Sequence, residues 1–199
     1  MKAIIILNGE GYKKEINTTG GFVICCDGGL SYCKRKNIKP DLTVGDFDSY
    51  KGRPPANSVK YPAQKNMSDG EIAIDILIEK NIKEAEIYCG GGKRDDHFLF
   101  NLHLLIKALK NGINAKMITN FSEIYAADKK FCLTVIKGRT VSLAPFSEIV
   151  HINNCTGLKY NVPKILRHGE TVSLSNIAVS DNAEIDIASG VLLIFIINA

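Results

Sequence analysis

Short apolar runs alternate with helical patterns through about the first 120 residues, and this alternation constrains the fold more than any other feature of the sequence. The predicted strands lie at 3–7, 22–26, 42–45, 86–89 and 115–119. The predicted helices lie at 28–36, 68–80 and 95–110, and the second begins with the capping-box pair Ser68 and Glu71. Because strands that are joined through helices run in the same direction, the pattern predicts an α/β domain with a mostly parallel sheet.

The pattern changes near residue 121, where the predicted helices stop. Regular short strands with polar turns are typical of a small all-β domain, and we predict an antiparallel sandwich. A hairpin is predicted to turn at Ser189-Gly190. We therefore divide the chain into an α/β domain at 1–121 and an all-β domain at 122–199. The extended runs of the second domain lie at 123–127, 131–136, 140–144, 149–152, 171–174, 183–187 and 191–197.

The composition excludes several classes of protein. Hydrophobic residues make up 45% and charged residues 23% of the 199 residues, which is typical of a globular chain and not of a disordered one. The longest apolar runs are far shorter than the ~20 residues that span a bilayer, so we expect no membrane segment. The net charge of +4 permits phosphate ligands, but no Lys/Arg run exceeds three residues. Nucleic acid is therefore not an expected partner.

The cysteines indicate a reducing compartment. Six cysteines occur without a CxxC pair, and the four histidines show no zinc spacing. Cys25, Cys26, Cys89 and Cys132 fall in apolar strand-like runs, where reduced core thiols are expected. The first residues show no signal-peptide pattern, so we expect a cytoplasmic location.

Acidic residues cluster where predicted strands end or helices begin. Asp27 follows the second strand, Asp46 and Asp48 follow the third, Asp69 opens a helix, and Asp95-Asp96 open another. Ligands of an open parallel sheet bind beyond the carboxyl ends of its strands, so these acids are expected to converge on one edge.

In Asp46-Phe47-Asp48 the two carboxylates stand two residues apart. If the segment is extended, they point to the same side about 6.5 Å apart along the chain and repel unless a cation lies between them. Mg²⁺ suits such a pair because it takes one or two carboxylates together with phosphate oxygens and water. The alternative is a simple turn in which Asp46 and Ser49 bond to the backbone.

A glycine-rich turn follows the predicted strand at 86–89. Gly90-Gly91-Gly92-Lys93-Arg94 is a candidate phosphate cradle, although it matches neither common nucleotide-binding glycine motif. The alternative is a left-handed turn into a helix whose first acids complement the helix dipole. His97 and Asn101 lie four residues apart and share a helical face.

These segments, taken in order, resemble the thiamine pyrophosphokinase family. The resemblance rests on Cys26-Asp27-Gly28-Gly29, Gly45-Asp46-Phe47-Asp48-Ser49, Ser68-Asp69-Gly70-Glu71, Arg94-Asp95-Asp96-His97 with Asn101, and Ser173-Leu174-Ser175-Asn176. It implies a homodimeric enzyme that transfers the pyrophosphoryl group of ATP to the hydroxyl of thiamine with Mg²⁺, giving thiamine diphosphate and AMP. From the residues alone, Ser173 and Ser175 are expected to lie on one face of a strand, which is more often simply a solvated face.

The resemblance also implies roles for particular residues. Asp46, Asp48 and Asp69 would hold the metal, and with Asp96 and Arg94 they form the catalytic set. ATP binding falls to Asp27, Gly28, Lys65, Arg94, His97 and Asn101. Thiamine binding falls to Ser173, Ser175 and Asn176, at the subunit interface. The chain departs from the family pattern at Asn66, where many members have an acid, at Lys93, where glycine is usual, and in having no tryptophan.

Two other functions are compatible with the same residues. A Mg²⁺-dependent nucleotide hydrolase would use the acids on water, and would form AMP without thiamine. A non-catalytic nucleotide or thiamine-binding protein would bind its ligands without forming product.

Overall fold

The computed structural model describes residues 1–47, 52–62, 66–134 and 136–198. By its internal contacts the chain divides into two units, Met1–Asn120 and Phe121–Ala199.

The first unit is built on a parallel sheet with the order β4-β3-β2-β1-β5-β6. All five pairings between these neighbours are parallel, so the prediction of a mostly parallel sheet is confirmed. The strands are β1 (Lys2–Ile6), β2 (Phe22–Cys26), β3 (Leu42–Gly45), β4 (Ser58–Lys60), β5 (Glu84–Tyr88) and β6 (Asn114–Ile118). The helices are α1 (Gly29–Arg35), α2 (Asp69–Glu79) and α3 (Asp95–Lys110). Among the described elements of this first unit, β4 is the one that the sequence-based prediction lacks; the short strands Ile165–Arg167 and Asn176–Ile177 of the second unit were also not predicted.

The helices cover both faces of this sheet. Cys33 of α1 packs against Cys25 of β2, whereas the adjacent Cys26 faces the start of α2. Since neighbouring side chains of a strand point to opposite faces, α1 and α2 lie on opposite sides.

Two devices fix α2 in place. The Ser68 hydroxyl caps it by accepting from the Glu71 amide at 3.1 Å, as the capping-box spacing predicts. Lys107 of α3 contacts Glu71 at 3.1 Å and Asp75 at 2.6 Å. Partial burial disfavours the ammonium, but these two bonds outweigh that effect and raise the pKa of Lys107.

The second unit is an antiparallel sandwich, which confirms the predicted fold class. One sheet has the order β12-β9-β14-β7 and the other β11-β10-β13-β8. Side chains of both sheets form one core, including Leu133, Val150 and Ile185 from one and Leu143 and Ile194 from the other. The strands are β7 (Ser122–Ala127), β8 (Phe131–Thr134), β9 (Thr140–Pro145), β10 (Ile149–Thr156), β11 (Ile165–Arg167), β12 (Asn176–Ile177), β13 (Asn182–Ser189) and β14 (Leu192–Ile197).

Three local predictions are wrong. Residues 171–175 form a turn rather than a strand, because Ser173 and Ser175 adopt φ values of 68° and 57°, which a strand does not allow. The predicted hairpin at 185–192 does not form, since β13 and β14 pair with partners in different sheets. Cys132 is exposed and not a core thiol, because Leu133 takes the inward position of β8.

Cys25, Cys26 and Cys89 are buried thiols, as expected of reduced core cysteines, and Cys33 is buried as well. None of the helices in the described ranges is both long and apolar enough to cross a membrane.

Candidate active site

The loops that follow β1, β2, β3 and β5 surround one cavity at the carboxyl edge of the parallel sheet. From β1 the chain proceeds outward through β2, β3 and β4, and it then returns through α2 to β5 on the other side of β1. A ligand crevice is expected at such a reversal of strand order. The cavity has a volume of about 370 Å³, and six residues selected from the sequence line it: Asp27, Asp46, Asp69, Arg94, His97 and Asn101.

Carboxylates form one wall of this cavity. Asp27 directly follows β2, is 7% exposed and donates its backbone amide to the Val44 carbonyl at 2.8 Å. Asp46 follows β3, and Asp69 is the first residue of α2. Gly45 makes this arrangement possible: a Cβ atom there would lie 2.9 Å from the Asp27 Cβ and 3.2 Å from the Asp69 Oδ2. The missing side chain therefore lets Asp27 and Asp69 approach each other.

Cations form the opposite wall. Lys93 and Arg94 follow the glycines after β5, and the Lys93 Nζ lies 3.5 Å from the Asn8 Oδ1. Arg94 stands at the N-terminus of α3 and bonds Asp96 through Nε at 3.0 Å and Nη2 at 2.5 Å. These bonds lower the pKa of Asp96 to about 2 and raise the pKa of Arg94. Both side chains are more than half exposed, so water weakens the pair and Arg94 can exchange its partner for a phosphate.

His97 and Asn101 follow on α3, one turn apart. The Asn101 Nδ2 donates to the Gly90 carbonyl at 2.8 Å, which ties the glycine-rich loop to the helix. His97 is exposed and faces the cavity. Asn101 therefore holds the glycine-rich loop in place, and the imidazole ring of His97 lines the cavity.

The structure brings together only part of the predicted set. Asp48 and Lys65 lie outside the described residues. Asp96 does not line the cavity, because it is engaged with Arg94, and Gly28 lines a neighbouring cavity instead.

Sequence reasoning missed Asn8 and Gly9, which line the cavity from the loop after β1. Both residues directly follow the first predicted strand, and this position was the signal that could have identified them. The other loops at this edge were selected because they carry charged residues or a run of glycines.

The predicted thiamine residues lie in the turn at 171–175 and at the start of β12. Asn176 is 2% exposed, and its amide is used internally: Oδ1 accepts from the Tyr160 and Ile177 amides at 3.0 and 2.8 Å, while Nδ2 donates to the Tyr160 carbonyl at 2.8 Å. The Ser175 amide donates to the Ser142 Oγ at 3.0 Å. Asn176 therefore fixes the turn that presents Ser173 and Ser175.

An apolar groove of about 340 Å³ adjoins this turn, and Val172, Leu174 and Phe195 are among its lining residues.

Comparison with known proteins identifies the family. The family model "Thiamin pyrophosphokinase, catalytic domain" matches residues 13–117, and "Thiamin pyrophosphokinase, vitamin B1 binding domain" matches residues 127–192. The chain belongs to the thiamine pyrophosphokinase family. It is 30% identical to the thiamine pyrophosphokinase of Bacillus subtilis over 210 residues, which cover 97% of each chain. The predicted family is thereby confirmed, as is the expectation of an enzyme of the diphosphotransferase class.

Solved structures of thiamine pyrophosphokinases share the fold. The Bacillus subtilis structure superposes over 100% of both chains with a TM-score of 0.86 at 24% sequence identity. The Candida albicans structure covers 99% of this chain and 89% of its own, with a TM-score of 0.79 at 16% identity. A shared architecture at such low identity confirms the fold prediction.

The carboxylate wall suits the magnesium ion that the thiamine pyrophosphokinase resemblance implies. Among the residues with described positions, no three His, Cys, Asp or Glu side chains are placed to enclose a metal by themselves. Mg²⁺ does not need such a cage, because it commonly takes one or two carboxylates and completes its shell with phosphate oxygens and water. Asp46 and Asp69 offer hard oxygen ligands at a cavity whose other wall is cationic, so the residues fit Mg²⁺ carried in with a polyphosphate.

Proposed function

We propose that this chain transfers the pyrophosphoryl group of ATP to the hydroxyl of thiamine, giving thiamine diphosphate and AMP. The observation that carries this proposal is the cavity at the carboxyl edge of the parallel sheet, which Asp27, Asp46 and Asp69 line together with Lys93 and Arg94. Such a site suits phosphoryl-type transfer, which asks the protein mainly for alignment and charge neutralisation.

The two walls divide the work. Asp46 and Asp69, with Asp48, would hold Mg²⁺, while Arg94 and Lys65 would neutralise the remaining phosphate charge. Asp48 and Lys65 are included on the sequence alone, because they lie outside the described residues. When bound, the metal neutralises phosphate charge and orients the polyphosphate. Asn101 supports this arrangement by holding the glycine-rich loop through Gly90.

The reaction exchanges one P–O bond for another. The thiamine hydroxyl oxygen attacks the β-phosphorus, and the bond from the β-phosphorus to the oxygen that bridges it to the α-phosphorus breaks. AMP leaves with that oxygen. The hydroxyl proton passes to a carboxylate, and we assign Asp27, which is 7% exposed and lines the cavity. Asp96 is a poor base, because Arg94 holds its pKa at about 2.

The thiamine site completes the proposal. We infer that residues 1–121 bind the nucleotide and residues 122–199 bind thiamine, with Ser173 and Ser175 as hydrogen-bonding groups. Asn176 positions them through its bonds to Tyr160. The adjacent groove with Phe195 offers an apolar wall for the rings, in a chain without tryptophan. We further propose a cytoplasmic homodimer with this site at the subunit interface.

Product identification tests the function. The purified protein is incubated with ATP, Mg²⁺ and thiamine, and the nucleotides and thiamine phosphates are separated by chromatography. We expect AMP and thiamine diphosphate in equal amounts, and neither product with Asp46→Asn. AMP formed equally well without thiamine would show a hydrolase, and ADP with thiamine monophosphate would show transfer of the wrong group.

A further inference from the structure

Two buried thiols contact each other behind the loop that carries Asp27. Cys25 lies in β2, and Cys33 lies in α1. Their sulfur atoms are 3.5 Å apart, and the two residues are 0% and 1% exposed. Both thiols are reduced. The activity proposed above uses neither of them.

A glycine lets α1 pack closely enough for this contact. A Cβ atom at position 29 would lie 2.8 Å from the Ile6 carbonyl oxygen, 2.9 Å from the Leu7 carbonyl oxygen and 3.2 Å from the Cys25 Sγ. Because Gly29 has no side chain, the start of α1 lies directly against β1 and β2. Cys33, one turn further along the helix, is thereby held on Cys25.

A cavity beside α1 gives a small reagent a route to the two thiols. It has a volume of about 220 Å³, and Gly29 and Tyr32 are among its lining residues. Gly29 lies between this cavity and the Cys25 sulfur, and Tyr32 directly precedes Cys33. A helix of only seven residues depends on its packing, so a local opening of α1 is enough to expose both sulfurs to a molecule little larger than water.

The contact also makes the two thiols chemically unequal. The hydrogen bond that it shares with Cys25 holds the pKa of Cys33 below its usual range, although burial acts in the opposite direction. The same bond, together with burial, raises the pKa of Cys25. Since the thiolate is the form that attacks an oxidant, Cys33 is the expected nucleophile and Cys25 the thiol that resolves the product.

We propose that Cys25 and Cys33 form a redox modification site that takes a peroxide as its oxidant. The Cys33 sulfur attacks one oxygen of hydrogen peroxide, the O–O bond breaks, and a sulfenic acid and one water form. The Cys25 sulfur then attacks the Cys33 sulfur. An S–S bond replaces the S–O bond, and a second water leaves with the Cys25 proton. The two thiols lose two electrons, and the peroxide is reduced to two waters.

The disulfide closes a ring that contains Asp27. The sulfur atoms have to approach from 3.5 Å to about 2.05 Å, and α1 has little room to follow because Gly29 already lies against β1. The loop at 26–28 therefore has to adjust, and it carries the residue assigned above as proton acceptor. This consequence rests on the proposed function: oxidation lowers the rate of pyrophosphoryl transfer, and a dithiol reductant restores it.

Peptide mapping tests the modification without an activity measurement. The folded wild-type protein is treated with hydrogen peroxide, alkylated in denaturant, and digested with trypsin and with a protease that cleaves before aspartate. Cleavage before Asp27 separates Cys25 from Cys33. We expect peptides 15–26 and 27–34 to be joined by one disulfide, which fragmentation places at Cys25 and dithiothreitol removes. Absence of this joined pair, or a bond to Cys26 or Cys89 instead, would overturn the proposal.

Initial rates before and after peroxide test the consequence. The test variant is Cys33→Ala, and Cys132→Ala is the matched control, because Cys132 is an exposed thiol of the second unit. We expect the wild type and the control to lose activity by ~10-fold or more, because a displacement of about 1 Å at a reacting group can cost that much. Dithiothreitol should restore both, and Cys33→Ala should keep its initial rate.

Equal inactivation of Cys33→Ala, or protection by Cys132→Ala, would contradict the effect on activity. Thermal melting verifies that Cys33→Ala is folded, Cys33→Ser provides a second variant, and the mapping itself needs no variant. The proposed function is read separately, from product formation before oxidation. A disulfide between Cys25 and Cys33 would support the modification site even if no thiamine diphosphate were formed.

Discussion

Replacing Asp69 with asparagine separates the proposed catalytic role of this residue from its structural one. Asn has nearly the shape of Asp but carries no charge, so the substitution removes one carboxylate from the cavity without opening a void. Asp69 is the first residue of α2, and its Oδ2 stands 3.2 Å from the position that a Cβ of residue 45 would occupy. The same change thus acts on the proposed metal site and on the N-terminus of a helix.

The two effects differ in size. Losing an acid from the first turn removes a favourable interaction with the helix dipole, about 0.3–1 kcal/mol, while the Ser68 cap remains. Losing a ligand that stabilises transition-state charge is expected to lower kcat at least ~10²-fold, or about 2.7 kcal/mol in the barrier. The catalytic effect should therefore far exceed the effect on stability.

Glu71→Gln is the matched control. Glu71 stands in the same helical turn and loses its ion pair with Lys107, yet it does not line the cavity. Initial rates of AMP formation at saturating ATP, Mg²⁺ and thiamine, with melting temperatures beside them, compare the variants. We expect near-wild-type kcat for Glu71→Gln. A near-normal kcat for Asp69→Asn, or an equal loss in the control, would refute the assignment of Asp69.

Three further predictions concern other parts of the molecule. Asn176→Ala should lower the free energy of unfolding by about 2 kcal/mol in urea titrations, because it leaves buried polar groups of its neighbours unsatisfied; an unchanged midpoint would contradict this. Carboxyl NMR should give Asp96 a pKa of about 2, rising toward the ordinary value of about 3.9 in Arg94→Ala. The stabilisation from this pair is present above that ordinary value and is lost as the pH falls through about 2, and an unshifted pKa would argue against the pair. Cys132 is exposed, whereas burial raises the pKa of the Cys89 thiol to about 11, so Cys132 should react first with a thiol reagent. The Cys132→Ser variant should lack the fast phase of this reaction.

Elements with a strong local signal were predictable. The predicted helix at 95–110 has the same bounds as the observed α3. Its ends were recognisable because acidic residues at its start and basic residues at its end complement the helix dipole. The strand at 22–26 is a buried apolar run in the middle of a parallel sheet, where such runs are common. Once the sheet is parallel, the carboxyl ends of its strands meet at one edge. It could therefore be predicted from the sequence alone that Asp27, Asp46 and Asp69 lie close together.

Elements determined by distant contacts were not predictable. The segment at 171–175 alternates polar and apolar residues like a strand, but its shape depends on bonds from Leu143 to the Ser173 carbonyl and from Ser175 to Ser142. Ser189-Gly190 resembles a hairpin turn, yet the strands on its two sides pair elsewhere. Ile194, for example, pairs with Tyr125 and Leu143. Asn8 carries no charge, so its role at the cavity became visible only in the folded chain.

Manganese binding tests the central claim most directly, namely that carboxylates from separate loops form one divalent-cation site that acts on a nucleotide. Mn²⁺ replaces Mg²⁺ as a paramagnetic probe, because the two ions favour the same oxygen ligands. The nucleotide is the α,β-methylene analogue of ATP, which cannot transfer its pyrophosphoryl group. Electron paramagnetic resonance counts the bound Mn²⁺ for the wild type and Asp46→Asn. We predict a nucleotide-dependent site in the wild type that is weakened at least ~10-fold in the variant. Equal Mn²⁺ binding by the two proteins would contradict the account.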